Sequence, residues 1–425
     1  MGSSMPGSGT PAPPTLDVAV IGGGIVGLGI AWEAQRSGRS VKVIDPAPAS
    51  GATFAAAGML AAISELHYQE QPLLELMLAS AALWPELLAS LDAPGLPETG
   101  FVTTPTLVVG ADAADRQALA DLRTVQLQHG LQVEQLSIKD ARAAEPLLSP
   151  QISCALRIAG DHQLDPRATA AALRQRLNEV AAARGDGEGA FVAGQAAALL
   201  WEHAGRHAQG RVTGVALADG REIHAREVIV ANGLGAAELQ ALPRGLELPL
   251  RPVHGDILRL RVPGHLRPLI THTVRGMVRG MPVYIVPRSD GTVVIGATSR
   301  EDKTAGVSAG GVHQLLRDAQ LLVPAVAELE LLECTARARP GTPDNAPLLG
   351  RVAGEGGQDI PGLIIATGFF RHGVLLTAMA GQLCRQLLGG ITDLAWLPFR
   401  PDRFSPTLSP NLCPTLPGPS HEELP

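Results

Sequence analysis

The chain reads as short apolar runs alternating with stretches of helical period. Runs at 16–21, 40–44, 227–231, 282–287, 292–297 and 363–367 are bounded by Gly, Pro or polar clusters and predict strands. Helical stretches separate them, such as 166–183, where Asp165-Pro166 offers a good helix start. Ser289-Asp290-Gly291 predicts a tight hairpin with Gly291 left-handed, and both faces of that hairpin read as buried. The run 251–260 alternates polar and apolar, which predicts an antiparallel strand with one face in water. An α/β chain results, with sheet at both ends and a β-rich antiparallel unit in the middle. Residues 1–15 and 409–425, rich in Gly, Ser or Pro, predict disordered ends.

The 425 residues, 45% hydrophobic and 18% charged, suffice for a large core in two or three domains. A net charge of -7 without a dense Lys/Arg run argues against nucleic acid or an anionic membrane as partner. Cys154, Cys334, Cys384 and Cys413 form no CxxC pair, so neither a zinc knuckle nor a disulfide framework is expected, and a reducing compartment is. No secretory leader is apparent, and the apolar stretch 18–32 is too short to span a bilayer, which together predict a cytoplasmic protein.

The densest chemical signal follows the first strand. Gly22-Gly23-Gly24-Ile25-Val26-Gly27 opens a helix-forming run that leads into a second strand ending in Asp45. In such a unit Gly22 permits the tight turn, Gly24 lets backbone approach a pyrophosphate, and Gly27 allows the helix to pack on the strand. The helix N-terminus then faces the phosphates, and Asp45 stands where a carboxylate accepts ribose hydroxyls. This pattern specifies a dinucleotide and leaves NAD and FAD both open.

Four segments carry a family resemblance: the small-residue stretch 51–60, the run 284–298, Arg339-Pro340-Gly341-Thr342-Pro343-Asp344, and Gly368-Phe369-Phe370-Arg371-His372-Gly373-Val374-Leu375-Leu376. In order and spacing, over about 16–403, they resemble the D-amino-acid oxidase superfamily, and within it the glycine oxidases of thiamine biosynthesis. The resemblance implies an FAD-binding Rossmann-like domain, made of 16–95, 150–240 and 335–403, with an inserted antiparallel β-rich substrate domain of 96–149 and 241–334. It implies non-covalent FAD, lined by Ile25, Val26, Asp45, Pro46, Ala52, Thr53, Ala57, Gly58 and Met59. Ala198 is implied at the adenine end, and Phe369, Phe370, Arg371, His372, Gly373, Val374 and Leu375 beside the flavin. A helix expected to start near Gly373 would direct its dipole at the flavin. For substrate, the resemblance implies Arg339 on the carboxylate, Tyr284 at the same end, Arg371 close to both substrate and flavin, and Met59 in the pocket.

Pro340 holds Arg339 extended, which supports its selection over Arg337, two residues earlier on the same strand face and expected as a surface ion-pair partner. Phe369, Ser299 and Pro282 depart from the family pattern and leave substrate size open. The implied reaction is oxidation of a small amino acid such as glycine to an imine, hydrolysed to keto acid and ammonia, with oxygen reduced to hydrogen peroxide. The alternatives are a D-amino-acid or sarcosine-type oxidase, an amino-acid dehydrogenase with another acceptor, and a flavoprotein that delivers an imine to a thiazole synthase without free turnover. Oligomeric state stays open. Gly306-Val307-Ser308-Ala309-Gly310 matches a hydrolase elbow, but Arg300-Glu301-Asp302-Lys303 before it is no strand, and Ser308 reads as a helix N-cap region. His203 and His207 have helical spacing without a third ligand and read as surface histidines.

Overall fold

A computed structural model describes residues 16–68, 70–202, 210–302, 304–354, 357–406 and 408. The expected disordered ends, and His203 and His207, lie outside these residues.

Two eight-stranded sheets organise the chain. In the first, Leu16–Ile21 lies between Val41–Ile44 and Glu222–Val230, parallel to both, and Asp359–Thr367 extends the parallel set beyond Glu222–Val230. Side chains alternate across these strands because successive Cβ atoms point to opposite faces. Val18, Val20, Val43 and Ile364 pack against Ile25–Arg36, Pro166–Ala183 and Thr377–Leu388. Ala19, Ile21, Val228 and Ile365 face the hydrophobic residues of Ala196–Glu202 and Arg211–Leu217. Asp165 caps Pro166–Ala183 through the amides of Arg167 and Ala168, as its sequence suggested.

The second sheet runs Glu330–Gly341, Arg251–Arg261, Thr292–Gly296, Met281–Pro287, Thr273–Val278, Thr106–Gly110, Cys154–Ile158, Glu134–Leu136. All its pairings are antiparallel except that of Thr273–Val278 with Thr106–Gly110. Cys154–Ile158 and the part of Glu330–Gly341 beyond residue 335, which the expected division gave to the dinucleotide unit, thus belong to this sheet. Gly291 closes the 287–292 hairpin at φ +80°.

The expected wet face of 251–260 does not exist. His254 and Asp256 are 7% and 0% exposed, because one side of the strand packs on Ala309–Leu322 and its approach loop while the other faces the first sheet's unit. Asp256 is satisfied there by Thr298 Oγ1, the Arg300 guanidinium and the Ser308 amide. Ser308 caps Ala309–Leu322 by accepting from the Gly311 amide, in keeping with the cap reading and not with a nucleophile elbow.

Among the described residues, one helix, within Gln71–Ser90, is long and apolar enough to cross a membrane, a stretch the sequence reading passed over. It is docked on the core: Leu76, Met77 and Trp84 are fully buried, and Trp84 Nε1 donates to the Leu375 carbonyl. This docking also corrects the expected helix start near Gly373. Ser80 Oγ donates to Leu375 O and accepts from Met379 N, replacing the helical bond between those two residues, so the regular helix begins at Thr377.

Candidate active site

A cavity of about 610 Å³ runs between the two sheets, from Asp45 and the glycine-rich turn to Tyr284 and Arg339. The three glycines of the turn have separable physical roles. Gly22 sits at φ +104°, and a Cβ there would stand 2.5 Å from Ala231 O. A Cβ on Gly27 would overlap the Gly22 carbonyl, so this position serves helix-on-strand packing and does not line the cavity. Gly24 is different: its φ of -70° suits any residue, and the nearest atom to an added Cβ is Thr53 Oγ1 at 3.5 Å. The space beside it is cavity, and its openness fits a pyrophosphate laid against the helix start.

Thr53 and Asp45 tie this end together. Gly24 has no side chain to cap Ile25–Arg36, and Thr53 Oγ1 accepts from the Ile25 amide at 3.0 Å in its place. Asp45 Oδ2 accepts from Gly23 N at 2.6 Å and Oδ1 from Ala47 N at 2.7 Å, while the side chain still lines the cavity. Two arginines that sequence reasoning missed hold the 52–58 loop from below. Arg167 Nε donates to Phe54 O at 2.7 Å, and Arg288 donates to the carbonyls of Ala57 and Leu164. Burial lowers the Arg288 pKa to about 10.

Of the anticipated cofactor residues, Ile25, Val26, Ala52, Thr53, Ala57, Gly58, Met59 and the 369–375 run line the cavity. Pro46 and Ala198 do not: Pro46 is exposed, and Ala198 pairs with Ala216 on the outer meander.

At the opposite end, strand alternation aims Tyr284 into the cavity while Val283 and Ile285 enter the core beneath Ala309–Leu322. Two glycines on neighbouring strands make room for the polar side chains. A Cβ on Gly296 would stand 2.6 Å from Tyr284 Cζ, and one on Gly255 would stand 2.6 Å from Arg339 Cζ. Burial pushes the Tyr284 pKa up to about 12, so the phenol stays protonated.

Arg339 is half-buried, donates to Thr298 O at 3.3 Å, and has no carboxylate partner among the described residues. Arg337 is exposed at the rim and, among the described residues, also lacks the ion pair expected of it. It donates to Ser50 O at 3.0 Å, and its Cζ lies 5.5 Å from the Phe54 ring centroid. Arg371 reaches the cavity already paired, with its Nε 3.1 Å from Glu65 Oε2 and a second ion pair to Glu70.

The turn that presents Glu65 is pinned by Asp161, fully buried, which accepts from the Ile63 and Ser64 amides at 2.9 Å each. Glu65 also pairs with Arg275, which lines the cavity opposite Tyr284 in the strand register. Neither Glu65 nor Arg275 carried a motif; the only hint was an arginine beside a glycine in an otherwise apolar strand, Thr273–Val278. His372, expected beside the flavin, lines the cavity and is 2% exposed, and burial and the Arg371 charge lower its pKa to about 3. His67 lines the cavity and is also held below its ordinary pKa, by burial and then by Arg371.

A glycine-rich turn stands at one end of the apolar cavity, and a guanidinium without an acidic partner among the described residues stands at the other. The model of the FAD dependent oxidoreductase family, DAO, matches residues 17–387, and the chain belongs to that family. It is an FAD-dependent enzyme of the amino-acid oxidase type. Glycine oxidase of Geobacillus kaustophilus is 32% identical, over 88% of this chain and 92% of its own length. A crystal structure of glycine oxidase from Geobacillus kaustophilus matches with a TM-score of 0.76 and 30% identity, covering 91% of this chain and 98% of that one. The bifunctional protein ThiO/ThiG of Synechocystis sp. is 32% identical over 93% of this chain, which spans 55% of that protein.

Proposed function

We propose that this protein oxidises a small amino acid, glycine first, with the substrate carboxylate on Arg339. The observation that carries this reading is the Arg339 guanidinium: half-buried over Gly255, beside Tyr284, and without an acidic partner among the described residues. An unpaired cation in such a place is costly unless a ligand supplies the anion, and a planar guanidinium matches a carboxylate through two parallel N–H to O bonds.

FAD, when bound along Gly24, Asp45, the 52–59 loop and the 369–375 run, supplies the two-electron acceptor, which oxygen then re-oxidises to give peroxide. The protein's own part is positional. Arg339 fixes the carboxylate, the protonated Tyr284 phenol donates a hydrogen bond at the same end, and the apolar walls limit water around the reacting Cα–H. Hydrolysis of the imine gives keto acid and ammonia. The ThiO/ThiG relative, which carries a further portion beyond the length this chain spans, supports delivery of the imine to a thiazole-forming partner. We place the protein in a reducing, cytoplasmic setting, where Cys154, Cys334 and Cys384, which form no disulfide among the described residues, would stay thiols.

The test is peroxide release on addition of glycine, sarcosine or D-alanine to the purified yellow protein. Flavin bleaching without peroxide supports a dehydrogenase instead, and neither response to any of the three sinks the reading.

A further inference from the structure

Three guanidinium groups and two carboxylates meet near Tyr284. Glu65 stands between Arg275 and Arg371, Arg371 also holds Glu70, and Arg339 has no acidic partner among the described residues. Glu65, Arg275, Arg339 and Arg371 all line the same cavity, and of these three guanidinium groups only that of Arg339 is left without a carboxylate among the described residues. The Glu65 and Arg275 side chains are each 14% exposed, and at such burial charge complementarity is weakly screened. Although burial opposes it, Arg275 and Arg371 hold the Glu65 carboxyl well below its usual range, so it is ionised at any working pH. The two histidines facing the cluster, His67 and His372, are both held below their ordinary pKa and add no further positive charge near neutrality.

We propose that Glu65 determines specificity for substrates with a single carboxylate, by occupying from within the protein the place that a second substrate carboxylate would take on Arg275 and Arg371. This rests on the reading of Arg339 as the substrate anchor. A glycine or N-methylglycine carboxylate neutralises the Arg339 guanidinium. An amino dicarboxylate would bring its second anion against Glu65, and like charges brought together without solvent strongly disfavour binding.

The experiment uses the FAD-loaded protein and has a binding arm and a turnover arm. Binding of acetate and of malonate is followed by perturbation of the flavin absorbance. Wild type should bind acetate tighter by about tenfold or more, and Glu65→Gln should shift that ratio towards malonate by about tenfold or more. Glu65→Asp, which keeps the charge, should retain the wild-type ratio. In turnover, Glu65→Gln should lower KM for iminodiacetate relative to sarcosine, with less change in kcat. Equal binding of the two anions by wild type, an unchanged ratio in folded Glu65→Gln, or loss of the ratio in Glu65→Asp would each overturn the proposal. The titrations need no catalysis, so they decide this point even if no amino acid is oxidised, an outcome that would remove only the proposed reaction. If Glu65→Gln does not fold, the wild-type ratio and Glu65→Asp still decide.

Discussion

The Arg339 guanidinium lies across Gly255, with its Cζ 2.6 Å from where a Cβ on that glycine would stand. Any side chain at 255 must therefore push Arg339 from its place. Arg339→Ala is expected to lower kcat/KM for glycine by about tenfold or more, since a charged hydrogen bond is worth about 1.5–3 kcal/mol. Arg339→Lys should also be poor, because an ammonium lacks the planar fork. Gly255→Val should reproduce the Arg339→Ala defect with the FAD spectrum intact, whereas Arg337→Ala should be nearly silent in kcat/KM. Abolition of turnover by Arg337→Ala alone would transfer the anchor to the rim arginine.

The glycine turn gives a second contrast. Gly24→Val meets no protein atom closer than Thr53 Oγ1 at 3.5 Å from its Cβ, so it should yield folded protein that purifies colourless. Gly27→Val, whose Cβ overlaps the Gly22 carbonyl, should instead reduce soluble yield and Tm. Recovery of fully flavinated Gly24→Val would contradict the placement of the pyrophosphate beside that residue.

Asp45 has two tasks, since each carboxylate oxygen also accepts a backbone amide, from Gly23 or Ala47. Asp45→Ala is expected to weaken FAD binding and lower Tm together. Asp45→Asn, which keeps one acceptor oxygen, should recover part of both, with kcat at saturating FAD close to wild type. Titration of apoprotein with FAD measures this, and unchanged affinity in Asp45→Ala would deny it a cofactor role.

His372 makes stability depend on pH. Its folded pKa of about 3 lies below the usual histidine value, so the unfolded chain binds the extra proton. Between roughly pH 6 and 3 this group therefore removes about 1.4 kcal/mol of stability for each unit the pH falls. His372→Asn should flatten the acid side of the stability profile relative to wild type in urea unfolding. Parallel profiles would mean that the imidazole is protonated in the folded protein.

The strands of the parallel sheet and the glycine turn were legible because one local pattern fixes each. The run 16–21 is apolar at every position that two covered faces require, and Gly22, Gly24 and Gly27 are spaced by backbone geometry alone. Arg339 was legible through Pro340 and the family resemblance. The buried cluster was not: Glu65 with Glu70, Arg275, and Arg371 come from three separated segments, and only tertiary packing turns these charges inward. The same limit explains the error at 251–260, where polar alternation looks identical whether the polar face meets water or, as with Asp256, a half-buried arginine. The late helix start at Thr377 was likewise set by Ser80, far away in sequence.

This protein is expected to move two electrons from a carboxylate-anchored amine to bound FAD. Anaerobic mixing of the purified protein with glycine tests it most directly, with the visible flavin band as readout and Arg339→Ala alongside. Glycine should bleach the wild-type band, admitted oxygen should restore it with one peroxide per flavin, and Arg339→Ala should bleach about tenfold more slowly or worse at the same glycine concentration. A band that no small amino acid bleaches, or equal rates in wild type and Arg339→Ala, would contradict it.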